Sequence, residues 1–269
     1  MSNDTNAVTV GWWLPTWTLW RREMVRFVRQ RSRLIGAFGT PLVFWVIMGN
    51  GIGRSLKLPG ADETLSYLEY SFPGAIASIL MFTAIFSTIS IIDDRKDGFM
   101  QGVLAAPVSR MSIALGKVLG ATTLAVGQAL VFLCFGTAAG IHLHVVTFLA
   151  SFGVMVLIAF SLTSLGFLIA WRMESTQGFH AVMNLFLMPM LILSGAFFPP
   201  SGAAKAMYYA MMLNPMTYGV TLLRAAIYSG NGIHADGWPA ALAVSLGFAV
   251  IMFWLLIRTV TRESTQAIQ

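Results

Sequence analysis

The side chains able to do chemistry are few in this chain, and most of them gather in one stretch. Asp93-Asp94-Arg95-Lys96-Asp97-Gly98-Phe99-Met100-Gln101-Gly102-Val103-Leu104-Ala105-Ala106-Pro107-Val108-Ser109-Arg110 sets carboxylates beside cations between two long apolar runs. Catalytic spacing is missing: there is no His-Glu-x-x-His, no Gly-x-Ser-x-Gly and no Cys-x-x-Cys. Gly116-Lys117 lacks the upstream glycine and the following Ser or Thr of a phosphate loop, so the chain is not expected to hydrolyse ATP itself. His142 and His144 stand two apart without a third ligand, which makes a poor zinc site and a better pair of solvated turn residues. Neither a catalytic centre nor a metal site is expected.

The charged stretch therefore calls for a mechanical reading. Each ion would cost at least a few kcal/mol in hydrocarbon, so the stretch is expected in water. Phe99, Met100, Val103 and Leu104 recur at one helical face while Asp97 and Gln101 point elsewhere, which predicts a short helix lying along the membrane. Asp93 and Asp94 suit its N-terminus, Pro107 disfavours helix at Ala106, and Ser109 can cap the next helix.

The elements that must carry this segment are built for lipid. Hydrophobic residues make up 57% of the chain and charged ones 10%, where a soluble domain would carry about a quarter charged. The single cysteine, Cys134, allows no intrachain disulfide. Met1 to Val10 reads as a polar tail. From Pro15 the chain is amphipathic: Trp17, Trp20, Met24, Phe27 and Val28 fall on one side, and Arg22, Arg26, Arg29 and Arg33 almost opposite. Indoles favour the membrane interface and arginines anionic headgroups, so this is an interfacial helix rather than a nucleic-acid helix.

Six apolar spans follow. Leu34 to Gly53 is too long for a signal peptide core and is the first, with Pro41 as a possible kink. The second opens at Pro73 and ends near Ile92; the third is Met111 to Gly140, with Lys117 close enough to its end to snorkel. Gly116 and Gly120, like Gly136 and Gly140, are spaced for close helix approach. The fourth is Val146 to Trp171, where Ser161, Thr163 and Ser164 can bond their own backbone. The fifth is His180 to Phe198 and the sixth starts at Trp238 or Pro239 and ends at Ile257. Between them, Ala203 to Leu213 and Met216 to Ile227 are each too short to cross about 30 Å. Asn214-Pro215 breaks them into a re-entrant or interfacial hairpin.

Basic residues set the orientation. Of the 17 lysines and arginines only Arg54, Lys57, Lys205 and Arg224 fall on the side opposite the charged stretch, which puts both termini in the cytoplasm. The fold class is thus an all-α integral membrane protein. Residues 1–33 are tail and interface helix, 34–260 the six-span domain and 261–269 a second tail. Gln128 is the most polar group near mid-membrane, suited to an interhelical hydrogen bond or to substrate contact. The spans are nearly free of ionisable groups, which speaks against an ion-coupled carrier. Methionines around the fifth span and hairpin, Met183, Met188, Met190, Met207, Met211, Met212 and Met216, suit a lipid-packed core or a pathway for a bulky amphiphile.

Asp94-Arg95-Lys96-Asp97-Gly98 followed by Leu104-Ala105-Ala106-Pro107-Val108-Ser109-Arg110 resembles the signature between spans two and three of type-2 ABC exporter permeases. The likeness extends to Phe72-Pro73-Gly74, Leu193-Ser194-Gly195, Phe198-Pro199-Pro200, Asn214-Pro215, Tyr218 and Arg224, in the family's order. It implies that Asp93, Asp94, Arg95, Asp97, Gly98, Phe99, Leu104, Pro107 and Arg110 belong to a cytoplasmic coupling helix that docks on a separate ATPase, which binds ATP and Mg. It also implies an outer gate hairpin, with Pro199, Pro200, Asn214, Pro215, Tyr218 and Arg224, and a dimer of permeases in the bacterial inner membrane. The expected function is export of an amphiphilic or saccharide-type substrate. The rival readings are a membrane scaffold of a biogenesis complex and an integral-membrane enzyme.

Overall fold

Backbone in hydrocarbon must satisfy its own polar groups, and the apolar runs do so as helices. The structure, a computed structural model, describes residues 11–29, 39, 41–47, 51, 66–139, 141, 144–228 and 237–266, and among these every regular element is helical. In chain order they are α1 (Trp13–Arg29), α2 (Tyr67–Ser87), α3 (Ile89–Lys96), α4 (Phe99–Ala105), α5 (Arg110–Cys134), α6 (Val145–Arg172), α7 (Thr176–Ile192), α8 (Lys205–Leu213), α9 (Pro215–Tyr228) and α10 (Trp238–Gln266). Short 3-10 turns follow α5 at Phe135–Ala139 and precede α8 at Pro200–Gly202. Four segments are long and apolar enough to cross a bilayer: Tyr67–Lys96, Arg110–Thr137, Val145–Arg172 and Trp238–Arg262. These match the expected spans two, three, four and six. The expected first span lies outside the described residues except for helical residues 39, 41–47 and 51.

The second span is the axis of the core, with 83% of its most apolar window buried. It starts at Tyr67 rather than at Pro73, because Ser66 and Glu69 form a capping box that opens the helix six residues earlier than the proline. Pro73 then sits inside the helix, where its missing N–H strands the carbonyl of Glu69. The hydroxyl of Tyr228, brought over by α9, donates to that carbonyl. A local defect in one helix thus becomes a tie to another.

Close packing rests on small residues placed where helices cross. A Cβ at Gly74 would lie 2.6 Å from the carbonyl oxygen of Ala196, one at Gly136 would lie 2.9 Å from the ring of Phe72, and one at Gly166 would lie 3.1 Å from the hydroxyl of Thr88. Trp45, from the helical residues 41–47, wedges its ring 5.3 Å from Phe72 and 5.5 Å from Phe132 and donates to the Leu68 carbonyl at 3.0 Å. The hydroxyls of Ser161 and Ser164 donate back to the Leu157 and Phe160 carbonyls as expected, whereas that of Thr163 is buried without a partner among the described residues.

The helix in the place expected for a fifth span is shorter than expected. α7 is capped by Ser175 and ends at Ile192, so Leu193-Ser194-Gly195 forms a turn, with Gly195 at φ +77°, instead of a last helical turn. The break expected at Asn214-Pro215 is present: α8 and α9 are 9 and 14 residues long and meet at Asn214.

Candidate functional site

The amphipathic helix α1 has three faces, not two. Trp13, Trp17 and Trp20 stack in a ladder with ring separations of 6.4 and 4.6 Å, and Trp17 is exposed. The arginines occupy a second face. A third face, Thr16, Leu19 and Glu23, is buried against α5. Gly116 and Gly120 make that contact possible: a Cβ on Gly116 would stand 2.8 Å from Leu19 Cβ, and one on Gly120 would stand 2.8 Å from Glu23 Cβ. Backbones this close bring Glu23 to Lys117.

From there an ion cluster extends to the end of the second span. Lys117 Nζ donates to Glu23 Oε1 at 2.7 Å and to Asp94 Oδ2. Asp94, fully buried, also accepts from Arg22 at 2.8 and 2.6 Å and from Arg26 at 2.9 Å. Arg26 reaches Asp93 at 3.1 Å. Donation to Asp94 holds the Arg22 guanidinium above its ordinary pKa, with burial opposing. Arg22 also lies 3.7 Å from the centre of the Phe99 ring, so one side chain touches α1, α3 and α4.

Several expectations need correction here. Asp94 is not in water; its charge is tolerated in the interior because three cations surround it. Asp93 and Asp94 do not open the short helix but close α3, because the span continues helical to Lys96. Lys117 does not snorkel to the interface, since two buried carboxylates hold it. Arg22 and Arg26 turn to Asp94 and Asp93 rather than to headgroups, whereas Arg29 is exposed and Arg33 lies outside the described residues. Trp20 donates to Thr123 at 3.1 Å.

The short helix itself follows its sequence pattern. Gly98, at φ +73°, turns the chain into α4. Met100 is buried, and Phe99, Val103 and Leu104 pack against the core, leaving Lys96, Asp97, Gln101 and Ala105 exposed. Ala106 is extended before Pro107, and Ser109 caps α5 through the Ser112 N–H. Arg95 donates to the Trp171 carbonyl at the end of α6. Arg110 keeps one guanidinium nitrogen buried without a partner among the described residues.

At the opposite end the hairpin residues act as ties. Asn214 donates to the Met190 carbonyl at 2.6 Å and accepts the Met216 N–H at 3.0 Å, joining α7 to the start of α9. Arg224 donates to Gly195 O at 3.1 Å, where Tyr70 also donates at 3.2 Å, and lies over the Tyr70 ring. Tyr218 bonds the Met212 carbonyl, Pro215 opens α9, and Pro199 leads into the 3-10 turn that Pro200 begins. Gln128 belongs to neither end: it accepts from Thr83 at 2.5 Å between α2 and α5, with its Nε2 buried and unpartnered among the described residues. Met183, Met211 and Met216 are core residues, whereas Met188 and Met207 are exposed.

Glu23, Lys117, Tyr70 and Tyr228 escaped the sequence reading as site residues. A lone acid in a basic helix and a lone lysine in an apolar span were the available signals for the first two.

Fold and site together define a multi-spanning helical membrane protein with an ion-paired helix clasp at one end and a tied hairpin at the other. The chain belongs to the ABC-2 type transporter family, whose model matches residues 15–228. It is 27% identical over 210 residues to a putative transport permease, ycf38, of Cyanophora paradoxa, covering 76% of this chain and 71% of that protein. It is 24% identical over 253 residues to Nodulation protein J of Rhizobium meliloti, covering 91% of each. The inner membrane transport permease YhhJ of Escherichia coli is 27% identical over 185 residues, 67% of this chain and 49% of that longer protein.

Proposed function

We propose that this chain is the six-span permease subunit of an ATP-driven exporter, residing in a bacterial inner membrane with both termini in the cytoplasm. A separate ABC ATPase binds the ATP and Mg and docks on α4. The observation that carries this reading is the form of α4: an apolar face rooted in the core and an exposed face of Lys96, Asp97, Gln101 and Ala105 between two spans. Force applied there passes straight into α3 and α5, because Gly98 and Pro107 are the short connections on either side. Arg22, gripping both Asp94 and Phe99, makes α1 part of the same lever. The hairpin α8–α9, tied to α2 and α7, closes the outer end.

A second copy completes the transporter. On α7, His180 and Asn184 are exposed beside Leu185, Phe186 and Met188, and lipid is a poor partner for an imidazole and an amide. A partner permease or a wet pathway between two copies covers this face. The substrate is an amphiphile or a saccharide-type molecule leaving the cytoplasm or inner leaflet.

Lys96→Glu with Asp97→Lys tests the docking. Both side chains are exposed, so the doubly altered chain should fold normally yet lose at least about tenfold in ATP-driven export and in recovery of a soluble ATPase by affinity purification. Undiminished export from a normally folded double variant would disprove α4 as the docking element.

A further inference from the structure

We propose that α1 carries a binding site for the phosphate of an anionic lipid, held between Arg21 and Arg29 across Val25. Leu14, Trp17, Arg21, Val25 and Val28 form one helical stripe, and four of these five are large apolar side chains that the fold leaves exposed, at 63%, 46%, 45% and 67% for Leu14, Trp17, Val25 and Val28. Arg21 is the cation in the middle of that stripe. It shares an open face of α1 with Thr18, Arg22, Val25, Arg26 and Arg29. Arg22 and Arg26 are already committed to Asp94 and Asp93, whereas Arg21 and Arg29 have no hydrogen bond or ion pair among the described residues.

Charge counting points the same way. Arg22, Arg26 and Lys117 are matched by Glu23, Asp93 and Asp94, with Asp97 also acting on Arg22, so Arg21 and Arg29 remain as two positive charges that no ion pair among the described residues offsets. An anion neutralises them, and guanidinium is matched to phosphate. The flanking apolar stripe selects the source of that phosphate. A soluble anion would leave Leu14, Trp17 and Val28 in water, whereas a lipid covers them with acyl chain while its headgroup reaches Arg21.

Titration of the full-length purified chain with phosphatidylglycerol or phosphatidylcholine in mixed detergent micelles, read by native mass spectrometry, tests this. Wild type should bind phosphatidylglycerol selectively. Arg21→Gln with Arg29→Gln should weaken that binding by about thirtyfold, since each surface cation contributes roughly an order of magnitude or less, and should leave phosphatidylcholine unchanged. Arg21→Lys with Arg29→Lys should retain most of the selectivity. Unaltered phosphatidylglycerol binding by the double glutamine variant overturns the proposal. So does an equal loss in Arg258→Gln with Arg262→Gln, which would assign the effect to net charge. Competition by free inorganic phosphate at equal concentration overturns the lipid assignment.

Discussion

Arg22 and Asp94 are 72 residues apart in sequence and meet through two parallel hydrogen bonds of 2.8 and 2.6 Å, with the carboxylate fully buried. A forked pair of this kind fixes orientation as well as distance. It locks the amphipathic helix to the end of the second span at the point from which α4 departs. Net stabilisation by such a cluster is modest, because burying the ions offsets much of their attraction, but breaking it is expensive.

Asp94→Asn leaves Arg22, Arg26 and Lys117 facing a neutral amide. The expected cost is about 3–5 kcal/mol, seen as a Tm lower by roughly 10 °C in detergent melts. Lys117→Met should cost less in the Asp94→Asn background than in the wild type, since of its two ion pairs only the one to Glu23 then remains to be lost. A double-mutant cycle with less than about 0.5 kcal/mol of coupling would mean that the two side chains act independently.

Gly116→Ala should separate α1 from α5. Its new methyl would fall 2.8 Å from both Leu19 Cβ and the Thr16 carbonyl oxygen, and overpacking of this kind costs about 1–3 kcal/mol. Gly127→Ala is the control on the same helix, with nothing within 4 Å of its added Cβ, and should be neutral or slightly stabilising. Faster proteolysis within α1 in the first variant alone would report the loosened contact. Equal behaviour of the two would refute close approach at Gly116.

Tyr228→Phe should strand the Glu69 carbonyl, at a cost of about 1–3 kcal/mol. Pro73→Ala restores an N–H one helical turn along, able to take that carbonyl in the ordinary helical bond. The Tyr228→Phe penalty should therefore shrink in the Pro73→Ala background. If chemical denaturation gives the same penalty in both backgrounds, the hydroxyl serves some purpose other than repairing the proline gap.

What could be read in advance followed from periodicity and punctuation. The stripe from Phe99 to Leu104, the stop at Pro107, the Ser109 cap and the break at Asn214-Pro215 are local signals, and the structure carries each of them. The fate of Asp94 was not local. Its burial depends on Lys117, Arg22 and Arg26, which lie 23, 72 and 68 residues away and converge only because Gly116 lets two backbones touch. An amphipathic wheel for α1 sorts residues into apolar and basic sides. It cannot reveal that Glu23 and Thr16 mark a third side reserved for another helix. The early start of α2 has a different cause: Pro73 suits a first helical turn, but the Ser66–Glu69 box opens the helix six residues before it.

Asn214→Ala removes both ends of one tie, the 2.6 Å bond to Met190 O and the cap on the Met216 N–H. Loss of an N-cap costs about 0.5–2 kcal/mol, and the stranded Met190 carbonyl adds a penalty of similar size. The α7–α8 connection would still be held by Arg224 at Gly195 and by Thr217 at Leu193 and Met211, so the hairpin should loosen without detaching. Hydrogen exchange should quicken across 205–217 while 110–134 stays protected. Adding Arg224→Gln should release the turn at Gly195 as well, and the two effects should exceed their sum, because each tie holds the same short hairpin in register. Strict additivity, or exchange that spreads equally into α5, would place the hairpin's anchor elsewhere.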